Sequence, residues 1–188
     1  MYNPDIHNRR SIRLRGYDYT QVGAYFVTIL IHQRELLFDT KVFRRVAETT
    51  WERIPRNFHH VQLDEWVVMP NHLHGILWIV DVGARHSPDE FTDQELPDSV
   101  VSMTGSETVW NASPVQLIPG SLGAVVGNFK SVTARRINKI RKSPGEPVWQ
   151  RNYYDHIIRD EDDLKRVRRY ILENPIRWDE DAENPLNE

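Results

Sequence analysis

Residues 61–80 read VQLDEWVVMPNHLHGILWIV. Two runs rich in Val, Ile, Leu and Trp, 61–69 and 72–80, flank the turn-forming pair Pro70-Asn71. Such runs are strand material, and so short a connection predicts an antiparallel hairpin. Upstream, 24–31 (AYFVTILI) reads as another strand, and 41–54 shows helical spacing at Val42, Val46 and Trp51 until Pro55 stops it. Downstream, Leu122, Val125, Phe129, Val132, Arg136 and Ile140 recur at three or four residues, which predicts a helix over 121–140. Short strands follow at 148–150 and 153–158. Asp160 then precedes Glu161, Asp162 and Asp163, acids suited to the positive end of a helix dipole. The helix they begin carries Leu164, Val167 and Ile171, and ends at Asn174 because Pro175 disfavours helical geometry before it. Without this last helix, the order β-α-β-β-α-β is the split β-α-β, ferredoxin-like arrangement. The expected fold is α+β: an antiparallel sheet with helices on one face, plus an additional C-terminal helix.

The 188 residues are enough for one domain, assigned to 1–178, followed by an acidic and frayed tail at 179–188. Residues 83–119 lack periodicity and are rich in Pro, Ser, Thr, Asp and Glu, so they read as an acidic, mobile insertion of unassigned role. There is no cysteine, which excludes disulfides, thiolate metal sites and a cysteine nucleophile, and fits a cytoplasmic setting. Residues 1–16 are polar and Arg-rich rather than a signal peptide, and no apolar run is long enough to span a bilayer. A net charge of −3 does not advertise nucleic-acid binding, yet the basic residues cluster. Arg13 and Arg15 belong to one cluster, and Lys130, Arg135 and Lys139 to another. Each reads as a phosphate-binding patch or as a solvated face.

His72-Leu73-His74 is the sharpest chemical feature. Alternation puts both imidazoles on one face of a strand and Leu73 on the other, with Leu77 and Ile79. The pair reads as a divalent-cation site or as two polar residues on an open sheet face. A cation held by two imidazoles needs a further ligand. Tyr170 and Asn174 share a helix face one turn apart: Asn174 offers an amide oxygen and Tyr170 a phenolic nucleophile. The same residues also read as a packing aromatic and a helix C-cap. Cleavage of a phosphodiester by a tyrosine conserves the bond as a phosphotyrosine ester, which a DNA 3′-hydroxyl can later attack. Such chemistry asks a protein for positioning and charge neutralisation, which a metal supplies.

These stretches resemble the HUH single-strand DNA transposases, and within them the REP-associated tyrosine transposases with an IS200-like domain. The matching segments are 11–19 (SIRLRGYDY) leading into 25–29 (YFVTI), then 63–77 (LDEWVVMPNHLHGIL), 123–137 (GAVVGNFKSVTARRI), 148–159 (VWQRNYYDHIIR) and 170–178 (YILENPIRW). They cover most of the chain outside the insertion and the tail, in the family's order. The family's His–apolar–His motif falls on His72 and His74, its nucleophile on Tyr170, and its third metal ligand on Asn174. The resemblance implies cleavage of single-stranded DNA at hairpin-bearing ends, Mg²⁺ or Mn²⁺ as cofactor, and a 5′-phosphotyrosine intermediate. Tyr153 and Tyr154 are the competing tyrosines, but neither has an amide partner at helical spacing. His156 reads as support for the metal ligands or as a buried residue. The alternative to a strand transferase is a non-catalytic single-strand-binding module on a ferredoxin-like sheet. The sequence accommodates a monomer and a homodimer alike, the last helix docking on its own subunit or on a partner's.

Overall fold

The computed structural model describes residues 17–81, 118–181 and 183–187. Arg13, Arg15 and all of the predicted insertion except Ile118 and Pro119 lie outside these residues. Four strands, β1 (Gly23–Leu30), β2 (Val61–Val68), β3 (His72–Ile79) and β4 (Tyr154–Ile158), form an antiparallel sheet of order β2-β3-β1-β4. The hairpin read from residues 61–80 is β2 and β3, paired directly. β1 lies on the far side of β3, with Thr28 opposite His74 and Leu30 opposite His72. The helices are α1 (Lys41–Glu52), the four-residue α2 (Ile54–Asn57), α3 (Leu122–Arg141) and α4 (Glu161–Glu173). This is the expected α+β architecture.

Alternation along the strands assigns each side chain to a layer. Tyr25, Val27 and Ile29 of β1 and Leu73, Leu77 and Ile79 of β3 join Trp51 of α1 and Phe129 and Ile137 of α3 in the main core. Ala24, Phe26 and Ile76 point the other way, into a smaller cluster with Leu164, Val167 and Ile171 of α4. Among the described helices, only α4 packs on this second face. Trp51, fully buried, lies against β3 at Gly75, where any Cβ would overlap its ring. Only glycine permits that approach.

Local chemistry explains both the agreements and the departures. Asp160 caps α4 by accepting from Asp163 N at 2.8 Å, as its position predicts. Pro55 does not end the first helical region. It sits at the start of α2, after a break at Arg53, where its missing N–H costs nothing. In α3, Val132 is only half-buried and Ile140 is exposed. The inner face carries Thr133 instead, whose hydroxyl donates to Phe129 O (2.7 Å) and accepts from Trp149 Nε1 (2.8 Å). A satisfied polar residue can take a core position that apolar spacing would not assign to it. The predicted strand at 148–150 reduces to one bridge between Trp149 and Ile31, because Trp149 turns into the core. The described residues of the tail are folded rather than frayed: Trp178–Glu180 and Pro185–Asn187 form 3₁₀ turns, and Asn184 is buried. Among the described residues, no helix is long and apolar enough to cross a membrane.

Candidate functional site

The second face of the sheet gathers polar residues at one end. His72 and His74 project from the first turn-proximal positions of β3 and are 0% and 3% exposed. Their Nε2 atoms approach to 2.9 Å. The outer nitrogens are each engaged: Asn71 Oδ1 accepts from His72 Nδ1 at 2.7 Å, and Thr28 Oγ1 lies 2.8 Å from His74 Nδ1. The Asn71 hydrogen bond fixes a proton on His72 Nδ1, which leaves the Nε2 lone pair facing inward. The Thr28 hydroxyl can donate or accept, so it serves either tautomer of His74. Burial pushes His72 down to about 4 against the opposing pull of Asp181. Burial, then the neighbouring His72, pushes His74 well below the usual histidine value. Both rings are therefore neutral at pH 7, the form that ligates metal.

Tyr170, on α4, presents its hydroxyl 3.3 Å from His74 Nε2, while Phe26 meets its ring edge-on. The residue is 47% exposed, so a ligand from solvent can reach it. Burial of the hydroxyl, then the charge of Asp181, raises its pKa, and a hydrogen bond from the Asn174 side chain opposes them. Asn174 follows α4 as its C-cap and is 6% exposed. Its Oδ1 is buried with no hydrogen-bond partner among the described residues. An unsatisfied buried carbonyl is uncommon and calls for an explanation.

The donor set suits a divalent cation. Adjacent ligands of an octahedral ion with bonds of about 2.1 Å stand about 3 Å apart. The two Nε2 atoms have that spacing, and Asn174 Oδ1 supplies an orphaned oxygen beside Tyr170. Asp181 Oδ2 lies 3.8 Å from His72 Nε2, and ligand atoms of His72, His74 and Asp181 all fall within 4.8 Å of one another.

Other residues singled out from the sequence lie elsewhere. His156 Nε2 is 2.8 Å from Asp163 Oδ2 and ties β4 to the start of α4. The positions next to the imidazoles belong to Asn71 and Thr28. Lys130 donates to the carbonyls of Gln150 (2.5 Å) and Arg151 (3.0 Å). Arg135 and Lys139 are exposed on α3, whose inner face packs on the side of the sheet away from the histidines. Tyr154 shares the histidine face, 6.2 Å from Phe26, and Tyr153 packs against the main core.

Sequence reading missed Asp181, Asn71, Thr28 and the clamp that seats α4. In that clamp Arg168 grips Asp64 with two hydrogen bonds, at 2.8 and 2.6 Å, and Trp78 Nε1 donates to the same carboxylate at 2.8 Å. The Arg168 bonds are the main reason Asp64 is held down to about 2, against its burial. The available signals were weak: Thr28 is the one polar residue of AYFVTILI, and Asn71 directly precedes the pair.

No protein-family model matches the chain. An uncharacterized protein of Haemophilus influenzae is 37% identical over 190 residues, which cover 96% of this chain and 95% of that protein. A protein of the same species named as a REP-associated tyrosine transposase is 24% identical over 164 residues, 85% of this chain and 74% of the relative. A solved structure of a REP-associated tyrosine transposase bound to a REP hairpin matches with a TM-score of 0.57. That match covers 88% of this chain and 73% of the other at 17% identity, and it speaks to the shared fold.

Proposed function

The chain belongs to the IS200-like family of REP-associated tyrosine transposases, and from that premise we propose that it is a metal-dependent single-strand DNA endonuclease and strand transferase. Its transposase role follows from the homology; the chemistry and the residues below are our reading. The observation that carries the reading is the hydroxyl of a partly exposed tyrosine 3.3 Å from His74 of a buried, neutral imidazole pair. His72, His74 and Asn174 would hold Mg²⁺ or Mn²⁺, which supplies neutralisation of charge on the nonbridging phosphate oxygens. Tyr170 is the nucleophile. Its oxygen forms the new bond to phosphorus, the bond to the 3′-oxygen breaks, and the phenolic proton ends on that departing oxygen. A 5′-phosphotyrosine ester remains, and a 3′-hydroxyl reverses the step to join strands. Asn71 and Thr28 orient the imidazoles. Tyr170 reaches His74 within one chain, which supports attack in cis. The scaffold acts as a single domain over 1–178.

The substrate class is hairpin-bearing single-stranded DNA, in keeping with the hairpin held by the structural relative. Arg13, Arg15, Arg135 and Lys139 are proposed to meet backbone phosphates outside the cleavage site, while Lys130 holds the backbone carbonyls of Gln150 and Arg151. The cysteine-free chain fits a cytoplasmic setting. The test is incubation of a labelled hairpin oligonucleotide with the protein and Mn²⁺, followed by a denaturing gel. A covalent protein–DNA band that maps to Tyr170 is the expected result. Binding without cleavage or adduct would leave a non-catalytic nucleic-acid-binding module as the correct description.

A further inference from the structure

The two most exposed aromatic side chains stand on the same face of the sheet. Among the described phenylalanines, tyrosines and tryptophans, Tyr170 and Tyr154 lead at 47% and 38% exposed. Tyr170 is the nucleophile of the reading above, and Tyr154 has no part in it. β4 is an outer strand of the sheet, and its register with β1 sets Tyr154 opposite Thr28. Thr28 in turn lies opposite His74, so Tyr154, Thr28 and His74 form one row across three strands. Directly opposed residues share a face. One ring joins this row to α4: Phe26, itself buried, has Tyr154 edge-on at 6.2 Å and Tyr170 edge-on at 6.0 Å. Burial and then Asp181 raise the Tyr170 pKa, and Tyr154 adds a smaller push the same way, so the two phenols lie within electrostatic reach of each other.

The course of α4 explains why Tyr154 is open. The helix starts beyond the other end of β4, where Asp163 meets His156 at 2.8 Å, and reaches β2, where Arg168 grips Asp64. It packs on Ile158 and leaves the first residue of β4 to solvent. Thr28 separates Tyr154 from His74 in the row, whereas the Tyr170 hydroxyl is 3.3 Å from His74 Nε2. Tyr154 is therefore placed to touch the strand and not to attack it. An aromatic ring set against Phe26 and open to solvent is a surface on which a nucleobase of any identity stacks. We propose that Tyr154 stacks a base of the single strand beside the scissile phosphate and so aligns that phosphate with Tyr170. This rests on the reading of Tyr170 as the nucleophile and adds a substrate contact to it.

The experiment follows adduct formation by the full chain at rising concentrations of the labelled hairpin oligonucleotide with Mn²⁺. Tyr154→Ala should raise the half-saturating concentration about fivefold or more, as loss of one stack does, and leave the maximal rate within about twofold. Tyr154→Phe, which keeps the ring, should match the parent. A Tyr154→Ala variant that matched the parent, or a Tyr154→Phe variant as weak as Tyr154→Ala, would overturn the proposal. A second series removes one base at a time from the single-stranded flanks. At one position beside the cleavage point, the abasic strand should bind the parent as weakly as the intact strand binds Tyr154→Ala, and should lose nothing further with that variant. Abasic losses of equal size in parent and variant at every position would leave Tyr154 a packing residue. If the parent formed no adduct, the nucleophile reading would fail, and the same abasic comparison by gel shift would still decide whether Tyr154 holds a base.

Discussion

Consecutive residues of β3 face two different worlds. Leu73, Leu77 and Ile79 enter a closed apolar layer under α1 and α3, where Trp51 and Phe129 meet edge to face with centroids 5.2 Å apart. His72 and His74 enter a layer that, among the described residues, holds one helix, α4, and a small apolar cluster. The first layer buries most of the apolar surface and supplies most of the stability. The second leaves a partly exposed tyrosine with its hydroxyl beside buried imidazole nitrogens. A two-residue period therefore lets one strand anchor the fold and hold the site, and substitutions on the two faces should separate stability from chemistry.

Tyr170→Phe should sharpen that separation most. Adduct formation should vanish on the denaturing gel, while stability to thermal unfolding falls by only about 1 kcal/mol, because one partly buried hydroxyl and its hydrogen bonds are removed. Tyr154→Phe should keep forming adduct. His72→Ala should abolish cleavage yet leave hairpin affinity, measured by gel shift, within a few-fold. Retained cleavage in either Tyr170→Phe or His72→Ala would break the assignment of chemistry to the second face.

The core face should show the opposite pattern. Trp51→Ala should cost about 3–5 kcal/mol in denaturant unfolding, with adduct formation per folded molecule unchanged. Arg168→Ala lies between the two patterns. It leaves the Asp64 carboxylate with only Trp78 and its own neighbouring backbone, and loosens the seat of α4. Because Arg168 is 39% exposed, the stability loss should be only about 1 kcal/mol. The adduct rate should fall more than hairpin affinity does.

Acid should act through the histidine face. An imidazole held near 4 in the folded chain binds its proton at about 6.5 once unfolded. The unfolded state then takes up more protons between those values, so the stability contributed by the neutral ring is complete above pH 6.5 and declines as pH falls toward 4. The slope is about 1.4 kcal/mol per pH unit for one such residue. His72→Gln should flatten the measured stability profile in that window. The smallest effect expected is that of Arg135→Gln with Lys139→Gln. It should weaken hairpin binding and lower the salt slope by about one for each phosphate no longer neutralised, without altering the cleavage step. An unchanged slope would make this patch a solvated surface.

Much of this was legible in local pattern. The hairpin, the shared face of His72 and His74, the capping of α4 by Asp160, and the one-turn spacing of Tyr170 and Asn174 each depend on residues within a few positions of one another. Strand and helix periods are short-range properties, so a single chain displays them before it folds. The strand parity that points Thr28 at His74 needed the β1–β3 register, which joins residues 46 positions apart. The layer chosen by α4 depended on where its apolar stripe found Ala24, Phe26 and Ile76. Asp181 gave no local sign, because an acidic tail looks the same in solvent as beside two imidazoles. Tertiary structure decided these points because the energies that settle them, burial of an apolar face and pairing of buried polar groups, arise between segments that sequence order keeps apart.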